Sequence, residues 1–110
     1  MDAGRLLDQA VMFRHIVLLI LKDDTTDAQR QALLGGLATL PERVPTIRSY
    51  TFGLDAGLNP GNAQVVACGD FDDADGYLAY RDHEAHRQVI AEFIAPVLAS
   101  RSAIQYELPG

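Results

Sequence analysis

The sequence has little of what several large classes of protein require. Its single cysteine, Cys68, cannot form an internal disulfide. The longest unbroken apolar run, Ile16 to Leu21, has six residues, whereas a membrane span needs about 20. Nine Lys and Arg residues stand against fifteen Asp and Glu, for a net charge of -6, which argues against nucleic acid and anionic membranes as partners. No segment resembles a signal peptide, so we expect a cytoplasmic protein.

What is present is typical of one small folded domain. The chain has 110 residues, of which 48% are hydrophobic and 22% charged, close to the averages for soluble globular domains. We interpret residues 1–11 as an N-terminal extension, because they precede the first clear element. Residues 12–108 are predicted to form a single domain.

Hydrophobic patterning predicts four strands, at residues 13–22, 46–54, 63–71 and 103–108. A first helix is expected after Thr26, which forms a capping-box pattern with Gln29. A short helix is expected at 72–81, and a longer one from Asp82, its predicted N-cap, with a kink at Pro96. The order β-α-β-β-α-β predicts a ferredoxin-like α+β fold with a four-stranded antiparallel sheet.

This topology places both helical segments on one face of the sheet and leaves the other face uncovered. The first strand is apolar on the uncovered face too, at Ile16, Leu18 and Ile20. Soluble monomers rarely expose a large apolar patch. We therefore predict that two copies pack sheet against sheet as a homodimer, with these three residues at the interface.

The residues that could carry chemistry cluster before the last helix. His86 falls in the core-facing stripe, three residues before Val89, and a desolvated histidine tends to stay neutral and can act as a base. On one continuous helix Tyr80 and His86 would lie about 120° apart. A break near residues 81–82 would let Tyr80 orient a substrate or stabilise an oxyanion beside His86.

Two other interpretations of the same residues stay open. His86 could simply hydrogen-bond a backbone carbonyl or a tyrosine, and Tyr80 could be a buried aromatic with a solvated hydroxyl. His83 and His86 have the i, i+3 spacing of some helical metal sites. Zinc or iron needs further ligands, and the sequence offers only His15 and scattered carboxylates, so we predict no metal site.

In three segments the chain resembles the stress-responsive A/B barrel (Dabb) family. These are the opening Phe13–Leu19, the pair Phe71-Asp72, and the element Tyr80 to His86, which is similar to the family's Tyr…His-Pro-Ala-His element with Glu84 in place of proline. The resemblance covers about residues 12–108. It implies a ferredoxin-like fold that dimerises through its sheets into an α+β barrel.

Some members of this family have no established catalysis, and one plant member is a polyketide cyclase that needs no cofactor. The resemblance to that cyclase implies that His86 and Tyr80 are catalytic and that a cavity lies between sheet and helices. Val65 and Leu37 stand where the cyclase has a histidine and a tyrosine. The residues expected to contact a ligand are His15, Val17, Leu33, Leu34, Leu37, Val65 and His83.

Two functions follow as hypotheses. The first is a homodimer without established activity that binds a small apolar or phenolic ligand between sheet and helices. The second is a cofactor-independent cyclase-like enzyme, in which His86 removes a proton next to a carbonyl, Tyr80 stabilises the enolate and His15 tunes the pocket. An open cavity that reaches Tyr80 and His86 favours the second, and complete filling by Leu33, Leu34 and Leu37 excludes it. A haem- or oxygen-handling enzyme rests only on fold analogy.

Overall fold

The structure is a computed structural model that describes residues 12–109, so the predicted extension at 1–11 lies outside the described residues. Its strands are β1 (Met12–Leu21), β2 (Ser49–Leu54), β3 (Val65–Phe71) and β4 (Leu98–Leu108). Its helices are α1 (Asp27–Ala38), α2 (Leu40–Arg43), α3 (Ala74–Asp82) and α4 (Glu84–Val89), with α4 continuing into a π-helical turn at Ile90–Ile94. The strands pair antiparallel in the order β2-β3-β1-β4. The predicted ferredoxin-like α+β fold is confirmed.

The last strand is almost twice as long as predicted. It begins at Leu98 rather than at residue 103, and it pairs with β1 along its whole length. Because β4 is an edge strand that the helices do not cover, residues 99–107 are exposed and show no apolar alternation before residue 103. The second and third strands are slightly shorter than predicted, starting at Ser49 and Val65.

The first helix begins where the capping pattern predicts. The Gln29 backbone N–H donates to Thr26 Oγ1 at 3.1 Å, and the Thr26 N–H donates to Gln29 Oε1 at 2.9 Å. These two bonds satisfy donors that the start of a helix leaves without partners. The helix then packs Leu33 and Leu37 against the sheet, where both are buried.

The second helical segment breaks at a single residue. α3 ends at Asp82, and His83 is extended, with φ -64° and ψ 139°. His83 also caps α4, because its Nδ1 accepts the Ala85 N–H at 3.0 Å. The prediction of Asp82 as the N-cap is wrong, since its carboxylate accepts two hydrogen bonds from Arg81 instead. A break is present, at His83 rather than at the expected residues 81–82.

The helix ends before Pro96 rather than kinking there, which corrects the prediction. The Ala95 N–H donates to the Ile90 carbonyl at 2.7 Å, which closes the π-helical turn. Proline has no N–H to extend such a ladder, so the chain leaves the helix and enters β4. No helix among residues 12–109 is long and apolar enough to cross a membrane.

The two faces of the sheet differ in what covers them. On the helix-facing side, odd-numbered β1 residues such as Leu19 and Leu21 are buried in the core. On the opposite side, Leu18 is 43% exposed, Ile20 42% and Ile104 58%, while Ile16 is half-buried. No element among the described residues packs over this apolar face.

Candidate functional site

A cavity of about 360 Å³ lies between the helices and the sheet. Its floor is the helix-facing side of β1, at His15, Val17 and Leu19, and its roof comes from α1, α3, α4 and the π-helical turn. Leu37 lines one wall without filling the space. A mostly apolar cavity with a few converging polar groups is typical of small-molecule sites.

Tyr80 and His86 meet in this cavity because of the break at His83. Their ring centroids lie 4.2 Å apart, a contact that one continuous helix would not allow. The His86 Nδ1 lies 3.0 Å from the Arg81 carbonyl oxygen. Since a carbonyl only accepts hydrogen bonds, Nδ1 carries the proton, and the neutral ring keeps a free lone pair on Nε2.

The environment of His86 keeps it neutral. Burial is the main cause that lowers the pKa of its imidazole below the usual value, and the positive charge of Arg101 lowers it further. The hydrogen bond to the Arg81 carbonyl acts in the opposite direction and favours the charged form. A neutral imidazole with an unprotonated Nε2 can accept a proton at neutral pH.

Tyr80 forms a hydroxyl pair with Tyr50 of β2. The two phenolic oxygens are 3.1 Å apart, and Tyr80 is 2% exposed. Burial raises the pKa of both hydroxyls, so both remain protonated. In such a pair one hydroxyl donates to the other, and the second keeps its proton for a hydrogen bond to a ligand.

His15 has the opposite protonation pattern to His86. The side-chain amide of Gln105 on β4 donates from Nε2 to His15 Nδ1 at 2.9 Å, so in the neutral ring the proton sits on Nε2. Burial, followed by the charge of Arg101, lowers the pKa of His15 to about 4. The cavity therefore combines one imidazole that accepts a proton with one that donates a hydrogen bond.

The structure brings together five of the nine site residues expected from the sequence. Lining the cavity are His15, Val17, Leu37, Tyr80 and His86. The other four do not line it. Leu33 and Val65 are fully packed in the core, Leu34 is partly buried against that core, and the Nδ1 of His83 is occupied by the cap of α4.

Several further lining residues were missed from the sequence, among them Tyr50, Tyr77 and Arg101. Tyr77 lies three residues before Tyr80 on one helix face, which was a usable signal. Tyr50 alternates with Phe52 in β2, so its face could have been assigned once the register was known. Arg101 gave no signal, because the predicted last strand began after it.

The described part of the chain contains no set of side chains that could bind a metal ion. Among residues 12–109, no three His, Cys, Asp or Glu side chains converge as a metal ion would require. The Nδ1 atoms of His83 and His86 are each occupied by hydrogen bonds to backbone groups.

The fold and the cavity define a small ferredoxin-like α+β domain with a ligand-sized site between sheet and helices. The chain belongs to the stress responsive A/B barrel domain (Dabb) family, whose sequence model matches residues 13–108. A stress-response A/B barrel domain-containing protein of Arabidopsis thaliana is 29% identical over 89 residues, which cover 77% of each chain.

Several solved structures are similar over most of the chain. A dimeric ferredoxin-like protein of unknown function from Thermobifida fusca is 40% identical, with a TM-score of 0.82 over 89% of this chain and 92% of that one. The hydroxynitrile lyase of Passiflora edulis has a TM-score of 0.76 at 17% identity, over 88% and 93% of the two chains. The likeness to the lyase is one of fold alone, and it shows that this fold is used by an enzyme.

Proposed function

We propose that this protein is a homodimeric acid–base enzyme that acts on a small, largely apolar carbonyl or phenolic compound bound between sheet and helices. The observation that carries the proposal is the fixed tautomer of His86. Its Nδ1 proton is held by the Arg81 carbonyl, and this leaves a basic nitrogen in an apolar cavity beside tyrosine hydroxyls. A cytoplasmic location stays a prediction.

The proposed step is removal of a proton from a carbon next to a carbonyl. The C–H bond breaks, its electron pair forms the C=C bond of an enolate, and the proton moves to His86 Nε2. The negative charge develops on the carbonyl oxygen, where the Tyr80 hydroxyl or the Nε2–H of His15 donates a hydrogen bond. Because the pKa of His86 is lowered, the imidazolium readily returns the proton to the substrate, which permits isomerisation, aldol cyclisation or lyase chemistry.

The homodimer would form through the uncovered face of the sheet. Its apolar residues Ile16, Leu18, Ile20 and Ile104 form one patch across β1 and β4, because Ile16 pairs with Ile104 in the register. A second copy would remove this patch from water. The dimeric state of the similar Thermobifida fusca protein supports this assignment.

The function is tested by deuterium exchange at the carbon next to the carbonyl of propiophenone in D₂O, followed by NMR. General acid–base help typically contributes about 100-fold or more, so the His86→Gln variant should lose about that factor. The matched control is Arg87→Gln, at an exposed residue on the same helix, which should exchange at the wild-type rate. The rate should fall only at pH values below the normal histidine range, because the pKa of His86 is lowered.

Equal exchange rates for wild-type protein and His86→Gln would refute the assignment of His86 as the base. Saturable binding of the ketone without any catalysed exchange would favour a binding protein instead, and the enzyme proposal would fail.

A further inference from the structure

The cavity contains a positive charge that the proposed proton transfer does not use. Arg101 lies on β4 opposite Leu19 of β1, and its side chain lines the cavity. Because the residue is also exposed, it stands where the cavity meets solvent. A ligand entering from solvent would therefore contact this guanidinium.

The described charged residues that line the cavity are all positive. Arg81 and Arg101 are its only charged lining residues among 12–109, and no carboxylate from that part of the chain lines it. Arg81 is neutralised, since its guanidinium donates to both Asp82 carboxylate oxygens at 2.9 and 3.0 Å. Arg101 takes part in none of the ion pairs formed within residues 12–109.

The charge of Arg101 acts on the reactive groups. It contributes to the lowered pKa of both His15 and His86, which places it within electrostatic range of the two rings. An arginine near a low-dielectric cavity is well suited to bind an anion where no described carboxylate pairs with it, because its planar fork matches a carboxylate in two hydrogen bonds.

We propose that the ligand of this cavity carries a carboxylate that Arg101 binds at the entrance, with its apolar body extending inward to Tyr80 and His86. This inference rests on the proposed use of the cavity as a substrate site. A phosphate fits less well, because a dianion requires several donors, and within residues 12–109 the entrance offers one guanidinium outside an ion pair, above mostly apolar walls. Arg101 would thus select small carboxylic acids over the corresponding esters and amides.

The probes are 4-phenylbutanoate and its uncharged isostere 4-phenylbutanamide, with phenyl phosphate as the other anion, measured by isothermal titration calorimetry on the whole chain. A charge-assisted hydrogen bond contributes about 1.5 kcal/mol or more, so wild-type protein should bind the acid about tenfold more tightly than the amide. Arg101→Gln should abolish this preference, chiefly by weakening binding of the acid. Arg87→Gln is the control for loss of one surface arginine and should keep the preference.

The inference would be overturned by no binding of the acid, by equal binding of acid and amide by wild-type protein, or by an acid preference that survives in Arg101→Gln. Phenyl phosphate bound more tightly than the acid would reject the carboxylate as the recognised group. The outcome is separate from that of the proposed function, because the calorimetry detects binding without proton transfer. If wild-type protein shows no acid preference but catalyses His86-dependent exchange, only the role of Arg101 is rejected. If it prefers the acid but catalyses no exchange, only the proposed enzyme activity is rejected.

Discussion

Two adjacent glycines in α1 offer a sharp test of how the helices pack above the cavity. A Cβ built on Gly36 would lie 2.5 Å from Cδ2 of the Phe93 ring, whereas a Cβ on Gly35 would meet nothing within 4 Å. Both glycines sit in the last turn of the same helix. Replacing each by alanine therefore makes the same local change in two different surroundings.

The two substitutions should change the free energy of unfolding in opposite directions. Alanine is favoured over glycine in a helix interior by about 1 kcal/mol, so Gly35→Ala should stabilise the protein by about 0.5 to 1 kcal/mol. Gly36→Ala gains the same helix propensity but forces the Phe93 ring to move, and overpacking of this kind costs roughly 1 to 3 kcal/mol. We expect Gly36→Ala to be less stable than Gly35→Ala by about 2 kcal/mol.

The clash would also reach the cavity. Phe93 lies in the π-helical turn, whose residues Ile90 and Ile94 line the site. Displacement of the ring would shift this turn, so Gly36→Ala should also weaken ligand binding, whereas Gly35→Ala should not. A smaller side chain at residue 93, as in the double variant Gly36→Ala with Phe93→Leu, should recover part of the stability lost by Gly36→Ala alone.

The assay is urea unfolding followed by far-UV circular dichroism. All variants are compared at one protein concentration, because the stability of a dimer depends on concentration. If Gly36→Ala proves as stable as Gly35→Ala, the close approach of α1 to the π-helical turn is wrong, and with it the position of the cavity roof.

Two further predictions concern the dimer and the buried histidine. Ile104→Asp places a charge on the uncovered sheet face and should convert the proposed dimer to a monomer in sedimentation at micromolar concentration. Leu58→Asp, at a loop residue that is 83% exposed, should leave the oligomeric state unchanged. If both variants are monomeric, or neither is, the proposed interface is contradicted. His15 should make the protein less stable in acid: its pKa is about 4 when folded and about 6.5 when unfolded, so the unfolded state binds more protons between these values. Between pH 7 and pH 5, urea unfolding should show wild-type protein losing roughly 2 kcal/mol more than His15→Gln, and equal losses would show that His15 is not desolvated.

The fold was largely predictable because its strongest signals are local. The Thr26 capping box and the two-sided apolar pattern of β1 both depend on neighbouring residues, and both are found in the structure. The start of β4 was not predictable, because an exposed edge strand needs no apolar alternation. Its residues are held by pairing with β1. The pattern within a short stretch of sequence does not reveal pairing between distant segments.

The candidate site was predictable where residues are close in sequence and not where the tertiary fold assembles them. Tyr80 and His86 are six residues apart, so helix geometry alone shows that their side chains can meet only if the helix breaks between them. Tyr50 reaches the Tyr80 hydroxyl from 30 residues away, and Gln105 reaches His15 from 90 residues away. Partners at such separations depend on strand register, which the sequence pattern does not define.

His83 and His86 are three residues apart, but the local fold gives their side chains different hydrogen-bonding roles. His83 interrupts the helix and uses its own Nδ1 to cap the new one, so this nitrogen is not available to a ligand. The same interruption leaves the Arg81 carbonyl free of the helix ladder, and this carbonyl accepts the Nδ1 proton of His86. His83 is therefore a positioning residue for the site, since the break that it caps determines both where the His86 ring lies and which of its nitrogens can act as a base.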